Sequence, residues 1–197
     1  MSLFEVKFRE SDIRRINAKL KDLGGKKQQS AMASAINKVA TAYRRDMINR
    51  IKNRYTVKGI SAGNKTAPLK RASPSKLEAT VTFPWQEKHT GYFQTRKQSG
   101  KSSAKVAVLR GRFKPLKSKI GAKGFIPAKQ IGKVRERTVF YRMPAKGDRA
   151  KRKEVIWPTF GPSLRGMAHA EPVLEAALNT AQKDLVEKLD ETVKKWL

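Results

Sequence analysis

Apolar residues recur at three- and four-residue spacing over two long stretches of this chain and alternate over several short ones. Between about residues 28 and 54, Met32, Ala35, Ile36, Val39, Tyr43, Met47, Ile51 and Tyr55 share one face, which predicts a long amphipathic helix. Arg44, Arg45, Arg50, Lys52 and Arg54 crowd its second half, where cations favour the helix macrodipole. A shorter helix is expected over residues 11–23, with Ser11 as N-cap, a stripe of Ile13, Ile16, Leu20 and Leu23, and Gly24 as its stop. The clearest pattern lies over residues 172–196. There Pro172 suits a first turn, and Leu174, Leu178, Ala181, Leu185, Leu189, Val193 and Trp196 form the stripe.

The strand signals are shorter. In KLEATVTF, residues 76–83, Leu77, Ala79, Val81 and Phe83 face one way, and Lys76, Glu78, Thr80 and Thr82 the other; Pro84 closes the run. Residues 104–109, 125–128, 138–143 and 154–157 also read as strands, with loops over 56–75 and 94–103. Residues 111–124 are basic and punctuated by glycine, so 84–124 is expected to be a basic extended loop or arm. These elements predict an α+β fold. A small, mainly antiparallel sheet packs against the long N-terminal helix and the C-terminal amphipathic helix, in a single domain over 1–197.

Charge changes the picture most. The 45 Lys and Arg stand against 16 Asp and Glu, a net charge of +29. So much self-repulsion opposes a compact free chain and makes nucleic acid the default partner. The charge is uneven: residues 170–197 hold four Lys and six Asp and Glu, while 101–153 hold 18 Lys and Arg against Glu136 and Asp148. Two surfaces with different partners are expected. With no cysteine, disulfides and thiolate metal sites are excluded. No stretch approaches the roughly 18–20 apolar residues of a membrane span, and the opening MSLFEVKFRE carries charges where a secretory signal needs an apolar run. A cytoplasmic product with no membrane partner is expected.

The search for catalytic chemistry is largely negative. His89 and His169 form no metal-ligand spacing. Glu78 is the one strand carboxylate that resembles part of a nuclease acid cluster, but a two-metal site needs several converging carboxylates. GKSSAKV at 100–106 lacks the first glycine of a phosphate-binding loop and the strand before it. No enzyme activity, cofactor or metal is expected. The positive signal is basic. Arg110, Arg112, Lys114, Lys117 and Lys119 recur every two or three residues, a spacing that tracks a phosphate backbone in extended chain, and Arg149, Lys151, Arg152 and Lys153 form a second cluster. Their partner is nucleic acid or acidic protein, the bland alternative being a solvated loop face. No base-reading motif accompanies them.

One string stands apart. IWPTFGPSLRGM, residues 156–167, holds a single charge, Arg165, between the cationic run KGDRAKRK and the acidic last helix. Together with AINKVATAYRRDMINRIKNRYTVK (35–58) and KGFIPAKQIGKVRERTVFYRM (123–143), it resembles the minor tail protein Z family of tailed bacteriophages and prophages, the tail completion proteins. Residues 84–120 depart from the family's pattern. The resemblance implies a structural virion protein, a tail completion or neck component at the head–tail junction, close to the DNA path and assembled in the host cytoplasm. It implies other tail and neck ring proteins as partners, a homo-oligomeric ring of six copies, and genomic double-stranded DNA along the basic surface. In that setting Trp157, Phe160, Pro162 and Met167 are expected anchors of a subunit contact. The alternative is a buried loop that locks the last helix onto the sheet. The rival functional readings are a free-standing, sequence-nonspecific nucleic-acid-binding protein and, more weakly, a nuclease.

Overall fold

The computed structural model describes residues 18, 25–97, 104–116, 124–127, 137–144 and 154–195. They form an α+β fold whose elements run, in chain order, from a long helix through short strands in small antiparallel sheets to a C-terminal helix. The expected helix over 11–23 lies outside the described residues apart from residue 18. Where the length predicts one domain, the chain gathers into two compact units: residues 1–50, 61–84 and 168–197, and residues 51–60 and 85–167. They are called here the helical unit and the strand unit.

In the helical unit, α1 (Gly25–Arg54) is the long helix expected from the stripe. Ala35, Ile36, Val39, Tyr43 and Met47 are buried along one face; Met32, at the edge of the stripe, is half-buried. The last helix (Glu171–Lys194, called α3 because a short α2 precedes it) runs antiparallel to α1. Lys38 Nζ donates to Thr192 Oγ1 at 3.3 Å, and Arg50 Nη2 to Thr180 Oγ1 at 3.0 Å, so rising numbers on one helix meet falling numbers on the other. Val173, Ala177, Ala181 and Leu185 form the buried line of α3, one position away from the expected Leu174 and Leu178, which are half-buried. The apolar arc spans both lines, and the helix turns its smaller residues inward.

A short hairpin completes this unit. β1 (Leu69–Lys70) pairs with β2 (Thr80–Val81), Leu69 opposite Val81. The strand expected over 76–83 is therefore shorter. Ser73 and Lys76 exchange backbone hydrogen bonds of 2.9 and 3.0 Å in a tight turn, which leaves Leu77 37% exposed. Val81 and Phe83 keep the inward face that alternation predicts. Ala33, Ile36 and Ala72 pack together with Ala79 beside them.

The strand unit begins at Ile51, in the last turn of α1. Its strands are β3 (Glu87–His89), β4 (Gln94–Lys97), β5 (Ala104–Ala107), β6 (Phe113–Pro115), β7 (Phe140–Pro144), β8 (Glu154–Pro158) and β9 (Phe160–Ser163). β4, β5 and β6 form one antiparallel sheet; β7 pairs with β8 and β3 with β9. Within the stretch expected as a basic arm, residues 94–97 and 113–115 are thus strands. Arg96 and Lys114 on them are exposed, while Ala104, Val106 and Ala107 of β5 are buried.

The segment 156–167 is the end of β8, then β9, then the short helix α2 (Leu164–Ala168). It divides by face. Thr159, Leu164 and Met167 are buried, whereas Ile156, Trp157 and Phe160 are 42%, 48% and 47% exposed. Phe93 lies against Gly161: a Cβ there would stand 2.5 Å from Phe93 Cε2, so only glycine fits. No helix among the described residues is long and apolar enough to cross a membrane.

Candidate polyanion interface

The strand unit concentrates the charge. Residues 51–60 and 85–167 contain 25 Lys and Arg against four Asp and Glu, a net +21 of the chain's +29. The ion pairs described lie elsewhere, with Asp46–Arg50, Lys76–Glu78 and Lys188–Glu191 all in the helical unit.

The end of α1 organises one edge of the surface. Thr56 N–H donates to Val108 O at 3.0 Å. The Thr56 hydroxyl donates to Ala107 O and accepts from the Gln94 N–H, tying the chain after α1 to β4 and β5. The β5–β6 connection then turns at Leu109–Arg112, where Arg112 N–H donates to Leu109 O and Gly111 has φ +73°. A positive φ at the third turn position is glycine's region, and it makes the tight reversal possible. The turn brings Arg110 against the helix end. Its backbone N–H donates to Arg54 O at 3.1 Å and its Nε to Lys52 O at 2.9 Å. A cation here satisfies carbonyls that the last helical turn leaves unpaired and complements the dipole. Arg110, expected in the anion-contact row, is exposed, and its Nε also fastens the turn to the helix end.

The sheet beyond the turn is cationic. Arg96 of β4 lies directly opposite Lys105 of β5, and Lys114 of β6 opposite Val106. Like charges placed opposite each other repel. Arg96 leans across β5, its guanidinium carbon 4.2 Å from the ring centroid of Phe113 on β6, a cation–π contact. Small, buried Ala107, opposite Phe113, leaves room for that crossing. Arg96, Arg112 and Lys114 are exposed and Lys105 half-exposed; none has a carboxylate partner among the described residues. The arrangement offers charge pairing and hydrogen bonds to phosphates or carboxylates, with one aromatic face among the cations.

Of the expected contact residues, Arg110 and Arg112 are exposed at the β5–β6 turn, and Lys114, paired with Val106, is exposed on the opposite face of the sheet from Arg96 and Lys105. Lys117, Lys119, Arg149, Lys151, Arg152 and Lys153 lie outside the described residues. The sequence reading missed Arg96 and Lys105, which are brought together by strand register and not by sequence spacing.

Of the expected subunit anchors, Trp157 and Phe160 are half-exposed and Pro162 half-buried. Met167 is 0% exposed and belongs to the core, so it is no anchor: α2 turns it inward with Leu164. Phe160 stacks on His89, its partner across β3 and β9, with ring centroids 4.6 Å apart. Burial holds the His89 pKa below the ordinary histidine value.

Glu78 is exposed. The hydrogen bond and charge of Lys76, 3.1 Å away, hold its carboxyl below the usual range, with the Thr80 hydroxyl adding to the effect. Among the described residues no three His, Asp or Glu side chains converge as metal ligands. No protein-family model, curated protein or solved structure matches the chain.

Proposed function

We propose that this protein is a non-enzymatic structural component of a tailed-phage particle. It acts as a tail completion or neck protein at the head–tail junction, with its strand unit close to the DNA path. The observation that carries the anion contact is the net +21 of the strand unit's sequence, together with a sheet on which Arg96 and Lys105 face each other without carboxylate partners among the described residues. A polyanion laid over that sheet relieves the repulsion. The place in a phage tail rests on the resemblance of residues 35–58, 123–143 and 156–167. Its partners are other tail and neck ring proteins and further copies of itself in a closed ring of six, through one repeated head-to-tail interface.

The second reading is a free-standing, sequence-nonspecific nucleic-acid-binding protein, and the Arg96–Phe113 pair on an open sheet face favours it. The two differ in assembly: a ring protein associates with itself without nucleic acid, whereas a free-standing binder stays monomeric until nucleic acid is added. Titration of two unrelated duplexes over a range of salt tests the anion contact. Affinity is expected to be equal for both sequences and to fall with a log–log slope of about −0.9 per phosphate neutralised. Arg112→Gln and Lys114→Gln should each shallow that slope by about 0.9 if the side chain meets phosphate. A salt-independent interaction would refute the contact.

A further inference from the structure

On the helical unit, α1 and the loop after β1 line an open groove of about 440 Å³. Its volume falls within the roughly 300–1,000 Å³ of small-molecule sites. We infer that this groove is a phosphate-binding site, with Arg45 and Arg71 as its principal ligands and Lys38 as the third cation. The inference does not depend on the tail reading.

The groove is built from two walls. Ser34, Lys38, Thr41 and Arg45 line it from one face of α1, at the three- and four-residue spacing of neighbours on a helix. Lys38 and Arg45 are two turns apart, roughly 10 Å along the axis. Arg71 lines it from the loop, and Asn37 fixes that loop. Asn37 Nδ2 donates to Ala72 O at 2.9 Å, and its Oδ1 accepts from the Ala72 N–H at 2.8 Å. The residue next to Arg71 is thus clamped to the helix by both hydrogen bonds of one amide, and Arg71 is held on the opposite wall.

The chemistry of the lining selects the ligand. Among the described residues no carboxylate lines the groove. Arg45 and Arg71 are exposed and have no partner among the described residues; Lys38 gives its one described hydrogen bond to a neutral hydroxyl, Thr192. Glu191, whose carboxylate feels the Lys38 charge, is held through both oxygens by Lys188 at 2.8 and 3.0 Å. Three cations around one concavity repel each other until an anion enters. Guanidinium forks match phosphate oxygens in pairs. Donors approaching from two walls suit the several oxygens of a tetrahedral phosphate better than the two coplanar oxygens of a carboxylate.

Two sources share that chemistry: the backbone of a nucleic acid and a free phosphate-bearing molecule. The test uses the full chain with inorganic phosphate and, separately, with a short duplex. Arg45→Gln and Arg71→Gln are exposed changes, and circular dichroism checks that the fold is kept. The double variant is expected to lose affinity for inorganic phosphate by about tenfold or more, the effect of removing charge-assisted hydrogen bonds. If the duplex salt slope also becomes shallower, by about 0.9 per contact, the source is a nucleic-acid backbone. If phosphate binding falls and the slope holds, the source is a free phosphate compound. Both results support the site. Phosphate binding unchanged in the double variant overturns it, and so does phosphate binding lost equally in Arg112→Gln/Lys114→Gln, which would place the ion on the strand unit.

Discussion

The hydroxyls of Thr90 and Thr159 meet 2.8 Å apart inside the strand unit, and every proton around them has one direction. Val139 N–H donates to Thr90 Oγ1 at 2.8 Å, and Thr159 Oγ1 donates to Val139 O at 2.8 Å. The proton between the two threonines therefore belongs to Thr90. The backbone follows the same route, with Thr90 N–H on Thr159 O and Thr159 N–H on Val139 O. A closed circuit thus joins the start of the 3₁₀ turn after β3, the residue before β7, and the link between β8 and β9. Thr90→Val leaves the buried Val139 amide with no acceptor, and Thr159→Val leaves the Thr90 hydroxyl with none. Each is expected to cost about 1–3 kcal/mol in denaturant unfolding. The double variant should cost less than the sum of the two, because each single change already breaks the circuit. Strict additivity would mean that the circuit does not act as a unit.

Close packing at Gly161 gives the second prediction. Its position against Phe93 leaves no space for a methyl group. Gly161→Ala is expected to lower stability by about 1–3 kcal/mol, the usual cost of overpacking a filled core. Adding Phe93→Leu, which shortens the obstructing ring, should recover part of that loss in the same melting experiment. If the second change only adds to the first, the clash is not the cause.

How far these features can be read from sequence depends on the distance over which each is determined. α1 and α3 are legible because their apolar stripes repeat over many turns, and β5, β7 and β8 because their residues are mostly apolar. β4, β6 and β9 are not. Arg96 and Lys114 face solvent on strands of three or four residues, too few to show alternation, and Pro162 sits in β9, which tolerates it because the strand is paired on one side only. The site divides in the same way. Arg112 and Lys114 stand out by spacing alone. The Arg96–Lys105 opposition depends on register, and the hydrogen bond from Arg110 to Lys52 spans 58 positions, which no local pattern reveals. Met167 was misread because an apolar residue near exposed aromatics looks like one of them until the short helix turns it inward.

His89 makes stability depend on pH. Burial against Phe160 lowers its folded pKa below the unfolded value of about 6.5. Protonation therefore favours the unfolded chain. The contribution is fully present above pH ~6.5 and is lost as the pH falls through the folded pKa. The melting temperature of the wild type should drop over that acidic window, and His89→Phe, which keeps the stacked ring, should flatten this part of the profile. An equally steep drop in the variant would assign the dependence to other groups.

The absence of converging acids around Glu78 predicts no cleavage. Its carboxylate is engaged by Lys76 and Thr80 in the exposed stretch before β2. Plasmid incubated with the protein and Mg²⁺ or Mn²⁺ should remain intact. Metal-dependent nicking that disappears in Glu78→Ala would sink the structural reading in favour of a nuclease.

The two faces of the segment 156–167 separate assembly from anion binding. Ile156, Trp157 and Phe160 expose apolar surface, and exposed aromatics of this size are typical anchors of protein contacts. Thr159, Leu164 and Met167 hold the same segment in the core, so the outer face is presented on a fixed support. Trp157→Ala is expected to weaken self-association or docking into the tail by about 2 kcal/mol or more if Trp157 is such an anchor, read by analytical ultracentrifugation or by incorporation into particles. It removes no charge, so the salt slope for duplex binding should stay where it is. Arg112→Gln with Lys114→Gln should do the reverse, shallowing the slope and leaving association intact. Met167→Ala would test neither: its side chain is fully enclosed, and its loss should appear as about 2–5 kcal/mol of lost stability. If Trp157→Ala shifts the slope and spares association, the aromatic face belongs to the nucleic-acid surface and the subunit contact lies elsewhere.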